Sequence, residues 1–512
     1  MKYCGERSRY LYFTRRKSES FISPNVLVIL RNVQLARMFH KLVGHYLLDN
    51  ISLFKFAILS ILRTANSARG SYKRRFQRQG ESETVTRLKQ HVLANYVGTG
   101  VLISAPILAL PWYLSELGSK QFGLIGFIAM LQAILGLIDA GMSQALVREV
   151  AVRFDLTDSG RYRTASLLFG FERIYWMFAL AAGLVVVLLN KTIAVHWLNL
   201  DGLPVTTGQA AIYGAAAIFA VQFPGSIYRS LLVGTQAQIA LNSIMSGGAL
   251  LRHIGGVAVV IAWPTLSAYL IWHSAIALCE TLIRGRWAWS VLQVKRNQVK
   301  WDINQLRPVW RLVAGMSGAT LLGALTVQMD RIVLSRMVSI EQFGYYTIAA
   351  TCALGSLQLI YPLTQAVLPR MIQMRGDPIA LRCLSVKLAQ LIVLLVGLGA
   401  LIFSTIGKWL MDVWLRNTEA VIAIYPMLSV LLAGVALNAF YNVGYVNWLA
   451  HQNIRRIFQV NALALVLSLA MIPPLVLLLG TIGASVGWLL INLIGFMFSL
   501  EWIKRKPSER SF

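Results

Sequence analysis

The chain reads as an all-α membrane protein of about twelve transmembrane helices in two six-helix bundles. Three observations carry that reading. Of its 512 residues, 56% are hydrophobic and only 13% charged. An average soluble chain is about a quarter charged, so a compact water-soluble enzyme is excluded. Apolar stretches of roughly 18–25 residues recur from about residue 92, each long enough to cross a ~30 Å hydrocarbon core as a helix. Finally, Gln121-Phe122-Gly123 recurs as Gln342-Phe343-Gly344, and Ser143-Gln144-Ala145 is matched by Thr364-Gln365-Ala366 at the same offset of 221 residues.

The elements follow in chain order. Residues 1–85 form a basic N-terminal extension: residues 1–90 hold 18 Lys and Arg against 5 acids, about half of the formal net charge of +27. Its apolar runs, at 26–30 and 58–62, are too short to span a bilayer. The run Lys73-Arg74-Arg75-Phe76-Gln77-Arg78 reads as a solvated tail near anionic lipid headgroups. Nucleic acid is not expected as a partner, because no recognition fold accompanies the charge. A second reading is that the leader is not translated. Gly80-Glu81 would be encoded by GGN-GAR, which resembles a bacterial ribosome-binding site, and Val85 would follow as a GTG start. Peptides upstream of Val85 in the purified protein would exclude it.

Twelve spans are expected at 92–114, 122–147, 166–189, 209–231, 242–262, 265–283, 309–335, 343–368, 385–407, 420–443, 460–479 and 482–500. A transmembrane barrel is excluded because its strands alternate in hydrophobicity, whereas residues 391–402 are continuously apolar apart from glycine. The N-terminal bundle occupies 86–283, a basic cytoplasmic linker 284–307, the C-terminal bundle 308–503 and a basic tail 504–512. Six is even, so both bundles start on the same membrane side, a parallel repeat of the kind whose two halves rock about a substrate path. With the first helix running outward, 20 basic residues fall in inner segments against 5 in outer ones. The positive-inside rule then places both termini in the cytoplasm.

Polar groups within the spans are costly in a bilayer and are therefore candidates for function. Arg252 and His253 lie near the middle of the fifth span, with Gly248 and Gly255 on the same face as Arg252. Small residues beside a cation leave room for an anionic ligand; the alternative is an interhelical pair with Asp139 or Glu280. Glu172 and Arg173 project about 100° apart, so one is expected to pair while the other lines a cavity. Arg229 lines the path or snorkels to the interface. Asp139 and Glu280 are expected to couple to transport or to pair with nearby arginines. Asp330 with Arg331 reads as a proton or cation coupling site, or as a local salt bridge. Asn95 and Thr99 make a polar i, i+4 pair. His253 alone reads as a structural histidine or a proton relay. Pro106, Pro111, Pro224, Pro362, Pro369, Pro473 and Pro474 free backbone carbonyls and allow bends.

Cys4, Cys279, Cys352 and Cys383 lack metal-type spacing and read as small buried hydrophobes. No cofactor or resident metal is implied, and no Gly-x-x-x-x-Gly-Lys-Ser/Thr loop marks an ATPase. The first outer loop, 115–121, carries a single acid, Glu116, too little for a glycosyltransferase that acts on an external lipid-linked sugar.

Over residues 88–500 the chain resembles the oligosaccharide-flippase, Wzx-like branch of the multidrug/oligosaccharidyl-lipid/polysaccharide exporter superfamily. The resemblance rests on Gly118 with Gln121-Phe122-Gly123, Asp139-Ala140-Gly141-Met142 running to Arg148, Pro224-Gly225-Ser226-Ile227-Tyr228, Gly234-Thr235-Gln236 and Asn242. It continues through Gln328-Met329-Asp330-Arg331, Gly344-Tyr345-Tyr346 and Ile482-Gly483-Ala484-Ser485. It implies a V-shaped transporter, not an enzyme, open alternately to cytoplasm and periplasm in the bacterial inner membrane. The implied substrate is an undecaprenyl pyrophosphate-linked oligosaccharide for O-antigen or exopolysaccharide. Arg252 and Arg173 would then face a pyrophosphate or acidic sugar, beside membrane lipids and polysaccharide polymerase machinery as further partners. The basic leader departs from the family pattern. A drug/cation antiporter of the same superfamily is the alternative, with a non-transporting scaffold as a third reading.

Overall fold

The computed structural model describes residues 81–504 except 140, 156, 301 and 302, and the side chains of 98–139, 141–155, 157–300, 318 and 321–503. The readings of the leader before residue 81 and of the tail from 505 lie outside these residues. All regular structure among the described residues is helical.

The first half begins with α1, Glu81–Gly136, which is interrupted at Gly118 (φ 76°, ψ 163°). Nothing lies within 4 Å of where a Gly118 Cβ would sit. The backbone angle, not crowding, therefore requires glycine there. The span expected at 122–147 ends early: a turn at Leu137–Asp139 leads to Gly141 at φ 85°, and α2, Met142–Arg153, starts afresh. The Ser143 hydroxyl donates to the Asp139 carboxylate across that turn at 2.6 Å. In the next loop the Thr157 hydroxyl and amide donate to Asp155, which holds that carboxyl below its ordinary range. Helix α3 is Asp158–Leu188, capped by Thr157. The span expected at 209–231 is split at Pro224 into α4, Val205–Gln222, and α5, Gly225–Gly234, because proline has no N–H to continue the ladder. Helices α6, Gln238–Ala262, and α7, Leu266–Leu292, complete this half.

The second half comprises α8, Ile303–Met337, α9, Ile340–Leu357, α10, Tyr361–Gln373, and α11, Pro378–Leu415. Next come α12, Thr418–Ala450, α13, Ile454–Leu479, and α14, Thr481–Ser499. The span expected at 343–368 is divided between α9 and α10, with Pro362 in the first turn of α10. Ser339, Asp377, Asn417 and Asn453 each cap the helix they precede with a side-chain oxygen, satisfying N–H groups that would otherwise lack partners.

Ten helices among the described residues are long and apolar enough to cross a membrane. One of them, Gly98–Asp139, runs 42 residues through the Gly118 break, about twice the ~20 residues a single crossing needs. Helix α11 is covered by little of the protein and exposes Leu394, Leu398, Leu401 and Trp409, a face suited to acyl chains. Cys279 and Cys383 are exposed rather than buried as the sequence suggests. Apolar surface costs nothing when lipid covers it, so hydrophobicity does not report burial here.

The two halves meet where the repeated Gln-Phe-Gly motifs touch. A Cβ on Gly123 would lie 1.9 Å from the Ile340 carbonyl oxygen, and one on Gly344 would lie 3.0 Å from the Gly123 Cα. Gly126 packs as tightly against Thr347. Phe122 and Phe343 are fully buried beside them. Ser119 donates to Glu341, the Ile340 amide to the Asn199 carbonyl (2.9 Å) and the Trp197 indole to Ser335 (2.9 Å). At this end one continuous core draws on both halves, from Leu114 and Phe127 to Ile424 and Trp488. At the other end the cores are separate. One gathers Leu146, Phe171, Tyr175 and Tyr228 of the first half; others gather Ile392 with Val443, and Met371 with Val446, of the second.

Candidate functional site

The polar residues singled out from the sequence form a ladder inside the first half. Arg252 of α6 pairs with Glu280 of α7, and Arg284, one turn on, pairs with the same carboxylate at 2.8 Å. Arg284 also donates to the Gly225 carbonyl at 3.2 Å, at the start of α5. Glu280 and Arg284 are buried, and Arg252 retains a minor part of its surface. Two guanidinium groups on one carboxylate leave an excess positive charge. The Nε atoms of Arg252 and Arg284 are buried without a hydrogen-bond partner.

The glycines flanking Arg252 serve a different end from the one the sequence suggests. A Cβ on Gly248 would lie 2.9 Å from the Glu280 carboxylate, and one on Gly255 would lie 2.5 Å from the Trp272 ring. They admit side chains of α7, not a ligand. His253 is part of an aromatic group that sequence reasoning did not find. Its ring lies edge-on to His273 at 5.6 Å, and His273 stacks on Tyr269 at 3.9 Å. The Tyr113 hydroxyl donates to the His253 carbonyl at 3.0 Å. The i, i+4 spacing of Tyr269 and His273 was the available signal, but their companions lie up to 160 residues away.

Lower in the ladder, Glu172 is buried, accepts the Tyr228 hydroxyl and pairs with Arg296, in the segment between α7 and α8, at 3.1 Å. Its neighbour Arg173 is exposed, with its guanidinium 4.3 Å from the centroid of the Phe169 ring. The two neighbours thus project to different surroundings, as adjacent helical residues must. Arg229 is also exposed. Among the described residues Asp139 pairs with no arginine: it accepts the hydroxyls of Tyr175 and Ser143. A hydroxyl satisfies a buried oxygen without importing a second charge to desolvate.

In the second half, Asp330 of α8 is buried and accepts the Tyr346 hydroxyl of α9 and the Arg331 amide N–H at 2.7 Å. The local Asp330–Arg331 salt bridge is absent among the described residues, because neighbours on a helix project apart. Asn95 lies within α1, with its side chain outside the described residues. Three acids, Asp139, Glu172 and Asp330, thus each take a tyrosine hydroxyl from another helix. No sequence spacing announces those tyrosines, since the partners are 36, 56 and 16 residues apart.

Residues 89–375, more than half of the chain, match the family model described as polysaccharide biosynthesis protein. A Shigella flexneri protein named "Putative O-antigen transporter" is 20% identical over 412 residues, 80% of this chain and 96% of that protein. Among solved structures, the lipid II flippase MurJ in an inward closed conformation superposes with a TM-score of 0.66 at 12% identity, over 82% of this chain and 88% of that one. A multidrug resistance MATE family transporter of the MOP superfamily, facing inward, gives 0.60 at 13% identity over 79% and 98%. These likenesses show the fold. The relatives and neighbours are transporters and flippases rather than enzymes. The chain is therefore a helical membrane transporter that belongs to the polysaccharide biosynthesis protein family.

Proposed function

We propose that the protein translocates lipid-linked oligosaccharide, carried on undecaprenyl pyrophosphate, across the bacterial inner membrane for O-antigen or exopolysaccharide synthesis. Alternating access is the mechanism. Both termini lie in the cytoplasm, as the bias of basic residues requires, so the joined end faces outward and the end with separate cores faces inward. The polyprenyl tail stays in the bilayer while the head group crosses between the halves. Polysaccharide polymerase machinery receives the product.

The observation that carries this reading is the uncompensated positive charge of Arg252, Arg284 and Glu280 within the membrane. A permanent cation there is expensive and arginine cannot shed it. Phosphate oxygens would meet the part of the Arg252 guanidinium that stays exposed with charge-assisted bonds, and exposed Arg173 and Arg229 extend the positive character toward the inward end. The alternative, a drug/cation antiporter, draws support from the buried acids Asp139, Glu172 and Asp330. Dye export from reconstituted vesicles would favour it.

Arg252→Ala tests the assignment. Glu280 keeps Arg284 as its partner, so the variant is expected to insert at wild-type levels yet lose surface glycan, with lipid-linked intermediates accumulating. Wild-type glycan in that variant would remove Arg252 from the path.

A further inference from the structure

The arginine ladder accounts for the charged end of the proposed substrate and leaves its sugars without a partner. The second half carries a group of a different kind. On α12, Asn438, Tyr441 and Tyr445 fall at i, i+3 and i+7, one stripe of the helix. The Tyr441 ring centroid lies 6.0 Å from those of Tyr445 and Trp448. Tyr361, the first residue of α10 and 38% exposed, is near enough to both tyrosines to interact with them electrostatically. Asn438 donates to Asn492 of α14 at 2.6 Å and accepts from Asn442 at 3.1 Å, which fixes the plane of its amide. Among the described residues none of the three phenol hydroxyls has a hydrogen-bond partner.

These rings lie too deep for the aromatic belt at a membrane surface. Tyr441 precedes the end of α12 by nine residues, and Tyr361 precedes the end of α10 by twelve. At the rise of a helix these are about 14 Å and 18 Å. A hydroxyl at that depth needs a polar partner, so the three line a path open to water rather than to acyl chains. The other half is close by. Beyond the joint at Gly344 and Thr347, α9 still packs on α1, where a Cβ on Gly355 would lie 3.1 Å from Ile107 and 3.3 Å from Ile103. Tyr361 follows six residues later.

The charge pattern is the reverse of the ladder's. After Glu419, α12 has no charged residue, and α14 has none at all. A pyrophosphate would find no countercharge there, but an uncharged sugar finds what it needs. The negative faces of aromatic rings attract the polarised C–H bonds of a pyranose, and phenol hydroxyls with an oriented amide exchange hydrogen bonds with its hydroxyls. An amphipathic cation would also meet the ring faces, yet would leave the amide and the hydroxyls unused.

We propose that Tyr361, Tyr441 and Tyr445, with Asn438, form a sugar-binding site in the second half. It holds the oligosaccharide while the arginines of the first half hold the pyrophosphate. This rests on the reading of the substrate as a lipid-linked oligosaccharide. One substrate then touches both halves, and its sugars as well as its pyrophosphate determine recognition.

The test uses the full chain in detergent and two lipids supplied together: undecaprenyl pyrophosphate, and the lipid-linked oligosaccharide extracted from a strain that lacks the protein. Native mass spectrometry reads the bound fraction of each. The wild type should prefer the glycan-bearing lipid. Tyr441→Leu and Tyr445→Leu should each weaken that lipid by roughly 3- to 10-fold, the scale of one aromatic contact, and leave undecaprenyl pyrophosphate unchanged. Tyr441→Phe, which keeps the ring, should lose less. Tyr425→Leu, which removes a ring stacked on Phe403 elsewhere on α12, should leave the preference as it is. Equal losses for both lipids, or no loss in either leucine variant, overturn the proposal. Leucine variants that lose ethidium binding instead of the glycan-bearing lipid would make the group a cation site and overturn it as well. If the wild type binds neither lipid, the substrate reading fails and takes the sugar site with it. If Arg252→Ala weakens both lipids while the leucine variants keep the wild-type preference, the sugar site alone falls. If the leucine variants lose the preference while Arg252→Ala changes neither lipid, the sugar site stands and the pyrophosphate assignment fails.

Discussion

Glu280 holds two guanidinium groups in a place where water cannot, and that sets the order of severity among substitutions in the ladder. Removing Arg252 leaves a matched Glu280 and Arg284 pair. Removing the carboxylate leaves two buried cations facing each other. Glu280→Ala is therefore expected to destabilise the protein by about 3–5 kcal/mol, as breaking a buried pair does, with a lowered melting temperature in detergent and poor insertion. Replacing Glu280 and Arg284 together by apolar residues should recover much of that loss, because no unpaired charge remains. The tyrosine partners are milder cases. Tyr228→Phe leaves Glu172 its Arg296 contact and should cost about 1–3 kcal/mol, the range for stranding a buried acceptor. Arg252, Glu172, Arg173 and Asp330 were legible as candidates because charge inside an apolar run is conspicuous. Their partners were not. A tyrosine in an apolar helix looks like any other aromatic until the fold brings it to a carboxylate.

At the scale of helices, glycine separates conformational need from close approach. Gly118 sits at positive φ in open space, whereas Gly123 is helical and pressed onto the Ile340 carbonyl. Gly118→Ala should cost about 1–3 kcal/mol, because this positive-φ, extended-ψ conformation is open essentially to glycine alone, and leave the joint intact. Gly123→Leu should overpack the joint, at about 1–3 kcal/mol or more, and force the halves apart. Gly136→Ala is the control, since nothing lies within 4 Å of its would-be Cβ. Thermal unfolding gives the energies; the distance across the joint, read from labels on Glu116→Cys and Arg336→Cys, separates the two glycine effects. The repeat itself was visible as a constant sequence offset, but the contact between its two copies was not. Spacing along a chain carries no information about which faces meet. The breaks at Pro224 and before Pro362 lie at marked prolines, while the restart after Gly141 needed the backbone angles.

For the whole molecule, one core joins the two halves where the repeated motifs meet, and the smaller cores each belong to one half. Ser119 and Glu341 face each other across that joint. A Ser119→Cys/Glu341→Cys pair on a background without native cysteines should therefore form a disulfide, or take a short bifunctional thiol reagent. Locked in this way, the protein should stop supporting surface glycan, and reductant should restore it. Full function in the cross-linked state would show that the joint need not open. The sequence by itself determined the helical membrane class, the repeat and the residues too costly to be idle. Those follow from hydropathy and charge, which add up locally along a chain. Only the tertiary structure decided that Arg252 shares Glu280 with Arg284, that three acids take tyrosine hydroxyls, and that two glycines of the repeat bring the halves into contact. Each of those depends on contact between helices far apart in sequence, where geometry rather than composition chooses the partner.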